Sequence, residues 1–528
     1  MSAPWPANPR AAVADIIICL AAGAIVSVLL GQDANWDLRN YHLYNPFALL
    51  NSRTGIDLMP AGLQSTFNPL LDVPYYVLAM GPLAAAPRML AALAGLPFGA
   101  LLFATLRLAT WMLGDLTGAE RLLPWIATAI AGSAAATRSE IGTTFNDIPI
   151  AALLLGALVL GCSKEGRRSA LAAMAGAGAM VGAAVALKPT AAVFAPGIIA
   201  ALLVGAVGWR AWLRVLAGFG AGALPAAALL AGPWALTLMH LYDSPTFPLL
   251  NALFRSDWYP PDNVTETRFL PRDIWQTLFY PFYWIRLQSF LVTEPPFRDA
   301  RMALAMLALP LLGVAAWRGV LAQPRRVLAV TAALVPGYVL WLRAFSILRY
   351  ALVLEALSAL LIVAALHTAA RSFAPRRPLL APGLAALGLA VLLLHTRVPD
   401  WWRIPYGQRV FEVEQVQLPP GSLVLAIHAP VAMAIPFLDA PGFRAIGLTG
   451  ETLRSKGYKL FAEIVHRIDT HDGPIFALSD VTGRAVEAAP WFGLVAEAAS
   501  CRPVRNNITF NAQIMLCPLH RKAAAPAP

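Results

Sequence analysis

The chain has 528 residues, of which 58% are hydrophobic and 13% are Asp, Glu, Lys or Arg, with a formal charge of +11. A soluble chain carries roughly 25% charged residues, so the polar side chains here are too few to cover a water-soluble globule. A soluble enzyme, a disordered regulator and a nucleic-acid-binding domain are disfavoured. The basic residues form short clusters between apolar runs, as in the cytoplasmic loops of a multi-span membrane protein.

In chain order, the first apolar run, Asp15 to Leu30, follows a single basic residue, Arg10, and lacks a small-x-small cleavage site, so it reads as a retained span. Runs long enough to cross about 30 Å of hydrocarbon fall at roughly 12–31, 89–111, 122–138, 147–162, 169–187, 190–208, 213–239, 301–317, 327–343, 347–367 and 379–396. One further run, 69–86, carries Asp72 and prolines. Four basic clusters decide its status: Lys164–Arg168, Arg210–Arg214, Arg318–Arg326 and Arg371–Arg377. If 69–86 does not span, all four face the cytoplasm with the N-terminus; if it spans, all four face outside, against the positive-inside rule. The expectation is therefore eleven spans, with 69–86 as a juxtamembrane or re-entrant helix on the outer face.

Loops 32–68, 139–146, 240–300 and 344–346 then share the outer face with residues 398–528. The expected division is a transmembrane domain over 1–397 and an extracytoplasmic α/β domain over 398–528. In that tail, Leu423–Ile427 and Ile475–Leu478 read as strands, and Glu451–Ile468 and Thr482–Ala499 as helices. Cys19 and Cys162 sit in apolar runs as small hydrophobes. Cys501 and Cys517 lie in the tail, where an oxidising compartment permits a disulfide.

Polar residues close to a bilayer are costly and are functional candidates by default. The first outer loop holds Asp33 and Asp37, four apart, with Tyr41 and Asn45 continuing the same face if the segment is helical. Trp36, Tyr41, His42 and Tyr44 interleave with these acids and suit stacking on sugar rings; an interfacial aromatic belt is the plainer alternative. The loop Arg138–Asp147 adds Glu140 and Asp147, the latter also a candidate helix cap ahead of Pro149. Lys188 ends a Gly- and Ala-rich span, where snorkelling is the plainer reading. Arg343 and Arg349 bracket a short loop followed by Tyr350 and Glu355. A guanidinium there calls for a partner, either Glu355 or an anionic ligand. Loop 240–300 carries His240, and its aromatic stretch Arg272–Arg286 reads as an interfacial helix. No second histidine at metal-ligand spacing accompanies His240, and no phosphate loop, nucleophile elbow or dinucleotide fingerprint occurs in a credible context. Neither a metal nor a cofactor is expected.

Acids and cations drawn from several loops onto one membrane face match the needs of glycosyl transfer from a lipid phosphate. A carboxylate takes the acceptor's proton, and Lys or Arg holds the departing phosphate. The same residues resemble the GT-C superfamily of integral membrane glycosyltransferases, the group that includes the protein O-mannosyltransferases and the aminoarabinose transferase. The similarity rests on Asp33, Asp37 and Tyr41-His42 after the first span, the juxtamembrane segment 69–86, Asp147-Ile-Pro, Lys188 and Arg349-Tyr350. It covers about residues 10–400.

The resemblance implies a GT-C-like fold in a bacterial inner membrane, with a cytoplasmic N-terminus. It also implies a polyprenyl-phosphate-linked sugar donor, a glycan, lipid or protein acceptor, and lipid contact. By position, Asp37 is the general base, with Asp33 the second candidate and Asp147 in support. Tyr41, His42, Glu140, Lys188, His240, Arg343, Arg349 and Tyr350 are the expected binding residues. The loop acids are four apart, not adjacent as in several members, so both remain candidates for the base. Two other readings stay open: a lipid-linked glycan flippase or transporter, and an envelope polysaccharide polymerase or ligase using Arg255, Arg268, Arg272 and His240.

Overall fold

The computed structural model describes residues 9–162, 167–286, 291–509 and 513–522. Part of the basic cluster Lys164–Arg168 falls outside them. Each of the eleven apolar runs from 12–31 to 379–396 is helical over most of its length. Among the described residues, six helical stretches are long and apolar enough to cross a membrane: Arg10–Leu30, Pro87–Leu113, Ala170–Leu187, Trp209–Tyr242, Pro324–Ala344 and Leu348–Phe373. Asp147–Cys162, Pro189–Val204, Arg301–Trp317 and Leu380–His395 are shorter apolar helices. The run at 122–138 is broken into Leu123–Gly132 and Ala135–Ser139. The chain is a multi-span α-helical membrane protein with a small C-terminal α/β domain.

Two units divide the chain. The first comprises Met1–Leu30, Ala92–Ala231 and Thr265–Trp401; the second comprises Gly31–Ala91, Gly232–Val264 and Trp402–Pro528. In the first, small residues let helix backbones approach closely, as they do where lipid removes the usual hydrophobic drive for association. A Cβ at Gly23 would overlap the Gly95 carbonyl oxygen, and one at Gly99 would lie 2.7 Å from the Cys19 carbonyl oxygen. Gly178 and Gly182 meet the helix Trp209–Tyr242 in the same way, facing the backbone of Phe219 and Ala223.

The second unit is built on a mixed sheet. Its strands are β1 (Leu423–Ile427), β2 (Arg444–Leu448), β3 (Ile475–Ser479), β4 (Leu494–Ala496), β5 (Arg502–Val504) and β6 (Ile514–Arg521). The order is β2-β1-β3-β6-β4, with β5 also paired to β6. β1 runs parallel to β2 and β3, and β6 is antiparallel to β3, β4 and β5. Leu460, Ile464 and Ile468, at helical spacing on Lys459–Asp469, bury one helix face among Leu423, Leu425 and Ile427 of β1. Cys501 and Cys517 are joined by a disulfide that ties the approach to β5 onto β6.

The tail helices are shorter than expected. Gly457, at φ 93°, separates Gly450–Leu453 from Lys459–Asp469. Thr482–Ala499 stops as an α-helix at Ala488, because Pro490 and the left-handed Gly493 (φ 65°) turn the chain into β4.

The loop at 31–68 belongs to the same unit as the tail sheet, and its backbone is continuous with it. Gln32 and Asp33 pair antiparallel with Ile404 and Arg403. Leu58 forms a parallel bridge to Ile446 of β2, with Leu58 N–H donating to Ala445 O at 2.8 Å and Gly447 N–H to Leu58 O at 2.9 Å. Gly447 permits this approach, since any Cβ there would overlap the Met59 carbonyl oxygen. Asp57 locks the join: it accepts from Ala445 N at 2.8 Å, from Tyr44 Oη at 2.9 Å and from both ends of the Arg53 guanidinium at 2.6 Å. Segment 69–86 contains the helix Val73–Met80. Eight residues of helix rise only about 12 Å, short of a bilayer crossing.

Candidate functional site

In the first unit the polar cluster starts at the break in the 122–138 run. The short helix Ala135–Ser139 has unpaired N–H groups at its start, and two buried carboxylates take them. Asp299 accepts from Ala135 N at 2.9 Å, and Glu355 accepts from Ala136 N, Thr137 N and Thr137 Oγ1 at 2.7–2.9 Å. Arg301, fully buried, pairs with Asp299 at 2.6 Å and donates to Ile130 O, Ser133 Oγ and Thr396 Oγ1. Glu355, which the sequence offered as a tie for Arg349, is thus engaged in anchoring this helix.

The anchored helix leads into the loop that carries Glu140 and Asp147. Gly142 (φ 71°) and Asn146 (φ 67°) both take the left-handed conformation that brings the chain round to Asp147, the first residue of the next span. Lys188 is drawn out of its own helix because Pro189 disfavours helical geometry in the residue before it; its φ and ψ are −144° and 99°. Its ammonium lies 2.5 Å from Asp147 Oδ1, donates to Phe145 O at 2.9 Å, and sits 5.0 Å from the centre of the Tyr350 ring. The Arg349 guanidinium stacks on Phe145 at 4.9 Å and on Tyr350 at 5.5 Å. Asp147, Lys188, Arg349 and Tyr350 therefore converge.

Glu140 joins this group and stands out within it. It is 2% exposed, and neither carboxylate oxygen has a hydrogen-bond partner among the described residues. Burial pushes it well above the ordinary carboxylate range; Asp147 and Glu355 add to the rise, while Lys188 and Arg349 oppose it.

The second unit carries its own cluster, in the loop after the first apolar helix. Asn35 sets its shape by capping a helix: its Oδ1 accepts from Leu38 N at 2.8 Å, while its own side-chain amide donates to both oxygens of Asp33 at 2.8 and 2.9 Å. The expected shared helical face of Asp33, Asp37, Tyr41 and Asn45 is corrected here. Asp33 lies on a strand before the cap, whereas Asp37 and Tyr41 stand one turn apart, with Tyr41 Oη donating to Asp37 Oδ2 at 3.0 Å. Leu38–His42 is wound as a π-helical turn, a distortion common at functional sites.

His42 Nδ1 lies 2.8 Å from Asp72 Oδ1, and its Nε2 is buried with no partner among the described residues. Arg39 is buried 4.7 Å over the Trp402 ring. Burial pulls its guanidinium down to about 10 against the opposing charge of Asp33. Its Nε and Nη2 also lack partners among the described residues.

His240 and Arg343 are placed differently. His240 is exposed on the last turn of Trp209–Tyr242, and Arg343 is exposed near the end of Pro324–Ala344. The aromatic stretch of loop 240–300 forms Ile274–Phe279 followed by a 3₁₀ segment, Tyr280–Ile285, with Trp275 and Phe279 exposed and Tyr280 and Trp284 buried. Among the described residues no three His, Cys, Asp or Glu side chains gather in a metal-holding arrangement. Sequence reading did not select Arg39, Asp72, Asp299 or Arg301. A signal existed for Asp72, an acid inside an otherwise apolar run.

No family model matches the sequence, and no curated protein matches it. Among solved structures, the chain is similar to ArnT from Cupriavidus metallidurans, crystallised bound to undecaprenyl phosphate. The TM-score is 0.51 over 97% of this chain and 98% of that one, at 12% sequence identity. Over nearly its whole length, then, the chain is similar in fold to ArnT.

Proposed function

We propose that the protein transfers a sugar from a polyprenyl-phosphate donor to an acceptor hydroxyl on the extracytoplasmic face of the bacterial inner membrane. The observation that carries this reading is the likeness in fold, over nearly the whole chain, to a structure crystallised with undecaprenyl phosphate. Lys188 and Arg349 hold the phosphate, and Asp147 orients Lys188. Asp37 is the proton acceptor, oriented by Tyr41, with Asp33 the second candidate. The tail lies outside, a placement compatible with its disulfide.

The test is sugar transfer from a polyprenyl-phosphate donor in membranes. Asp37→Asn and Arg349→Ala should leave expression intact and lower transfer by about 10²-fold or more. Full transfer by Asp37→Asn removes it as the base. Unaltered transfer by Arg349→Ala removes the phosphate assignment. A reporter near Gln323 should be cytoplasmic and one at the C-terminus external; the opposite result overturns the assigned face.

A further inference from the structure

Glu140 has no task in the reaction as described, and its surroundings are unusual for a carboxylate. It is buried without a hydrogen-bond donor among the described residues. The charged groups that act on it are Asp147, Lys188, Arg349 and Glu355. An ionised Glu140 would add negative charge where, on the reading above, a phosphate has to bind.

The donor's chemistry supplies a use for a proton at this place. A polyprenyl-phosphate-linked sugar is a phosphodiester with one negative charge. When the bond between the anomeric carbon and the phosphate oxygen breaks, the electron pair stays on that oxygen, and the phosphate leaves with a second negative charge unless it is protonated. A second charge is costly where water is scarce.

We propose that Glu140 meets the donor phosphate as a neutral carboxylic acid, donates its O–H to a phosphate oxygen, and passes that proton to the phosphate as the glycosidic C–O bond breaks. The acceptor oxygen forms the new bond to the anomeric carbon and loses its own proton to the loop carboxylate. One proton thus leaves the acceptor and one reaches the phosphate, so the lipid phosphate departs as a monoanion. Exchange with water returns a proton to Glu140 and takes one from the loop acid. The inference rests on the transferase reading, and it assigns the acid partner to the proposed base.

Binding of undecaprenyl phosphate to the full-length chain in phosphatidylglycerol nanodiscs, from pH 6 to pH 9, tests it. Wild type should lose at least tenfold more affinity over this range than Glu140→Gln, which cannot ionise. With sugar donors, Glu140→Gln should slow transfer by about 10²-fold from a polyprenyl monophosphate. Transfer from a polyprenyl pyrophosphate, a better leaving group, should slow far less. Identical pH profiles of binding for wild type and variant overturn the Glu140 assignment and leave the transferase reading standing. No binding by wild type at any pH overturns both. Should the variant not fold, infrared difference spectra of wild type decide: undecaprenyl phosphate must shift the carbonyl stretch of a protonated carboxyl, and an unchanged spectrum rejects the proposal.

Discussion

The Lys188 ammonium and the buried Asp147 Oδ1 form a largely enclosed ion pair at 2.5 Å, between a residue pulled out of its helix by Pro189 and one that opens the neighbouring span. Breaking such a pair from one side strands the other charge, at a cost of about 3–5 kcal/mol. Lys188→Met alone should therefore lower both stability and sugar transfer. The double variant Lys188→Met/Asp147→Asn should recover most of the stability and none of the transfer. Thermal unfolding in detergent beside the transfer assay checks this, and recovery of transfer in the double variant would show that Lys188 has no role beyond neutralising Asp147.

Glu140 sets a pH dependence with a definite sign. Its folded-state value lies well above the ordinary 4.5, so between the two values the folded chain binds a proton that the unfolded chain releases. Stability is then full below the unfolded value and falls as pH rises above it. Glu140→Gln removes that dependence. The variant should be more stable than wild type at pH 8, with the gap closing towards pH 4. A gap of constant size across this range would mean that Glu140 is ionised in the folded protein.

Arg301 ties Asp299, and through it the start of Ala135–Ser139, into the first unit. Arg301→Met should cost about 3–5 kcal/mol by leaving Asp299 buried and unpaired. Faster amide exchange should appear at residues 135–146, ahead of the rest of the first unit. Exchange that rises uniformly instead would deny the pair a local role in holding the loop.

Gly447 tests the join between the loop at 31–68 and the tail sheet. Gly447→Ala changes no charge and touches none of the candidate acids, yet its Cβ would overlap Met59 O. Transfer should fall, and exchange at residues 57–63 should rise, while Lys459–Asp469 keeps its protection. Unaltered transfer with a displaced loop would show that loop position does not govern activity.

The spans were legible because bilayer thickness dictates run length, and Lys188 and Asp147 because charge at the end of an apolar run is conspicuous. The start of the helix before Asp37 was legible in principle, since Asn35 is a strong cap. Reading Asp33 and Asp37 by spacing alone passed over it. Arg301 and Asp299 look like ordinary end-of-span charges, and nothing local records that Arg301 reaches Ile130, 171 positions away. Arg39 and Asp72 likewise gain meaning only from partners such as Trp402 and His42.

The closure of Asp57 on Ala445 spans 388 positions. Synthesis at about 5–20 residues per second puts roughly 20 to 80 s between the emergence of the acidic loop and that of the strand it docks on. During that interval the loop lacks its mould, so the carboxylates at its heart take their final places only once about five-sixths of the chain has been made. A truncated or stalled product would sit in the membrane with its spans complete and the loop that carries Asp33 and Asp37 unformed.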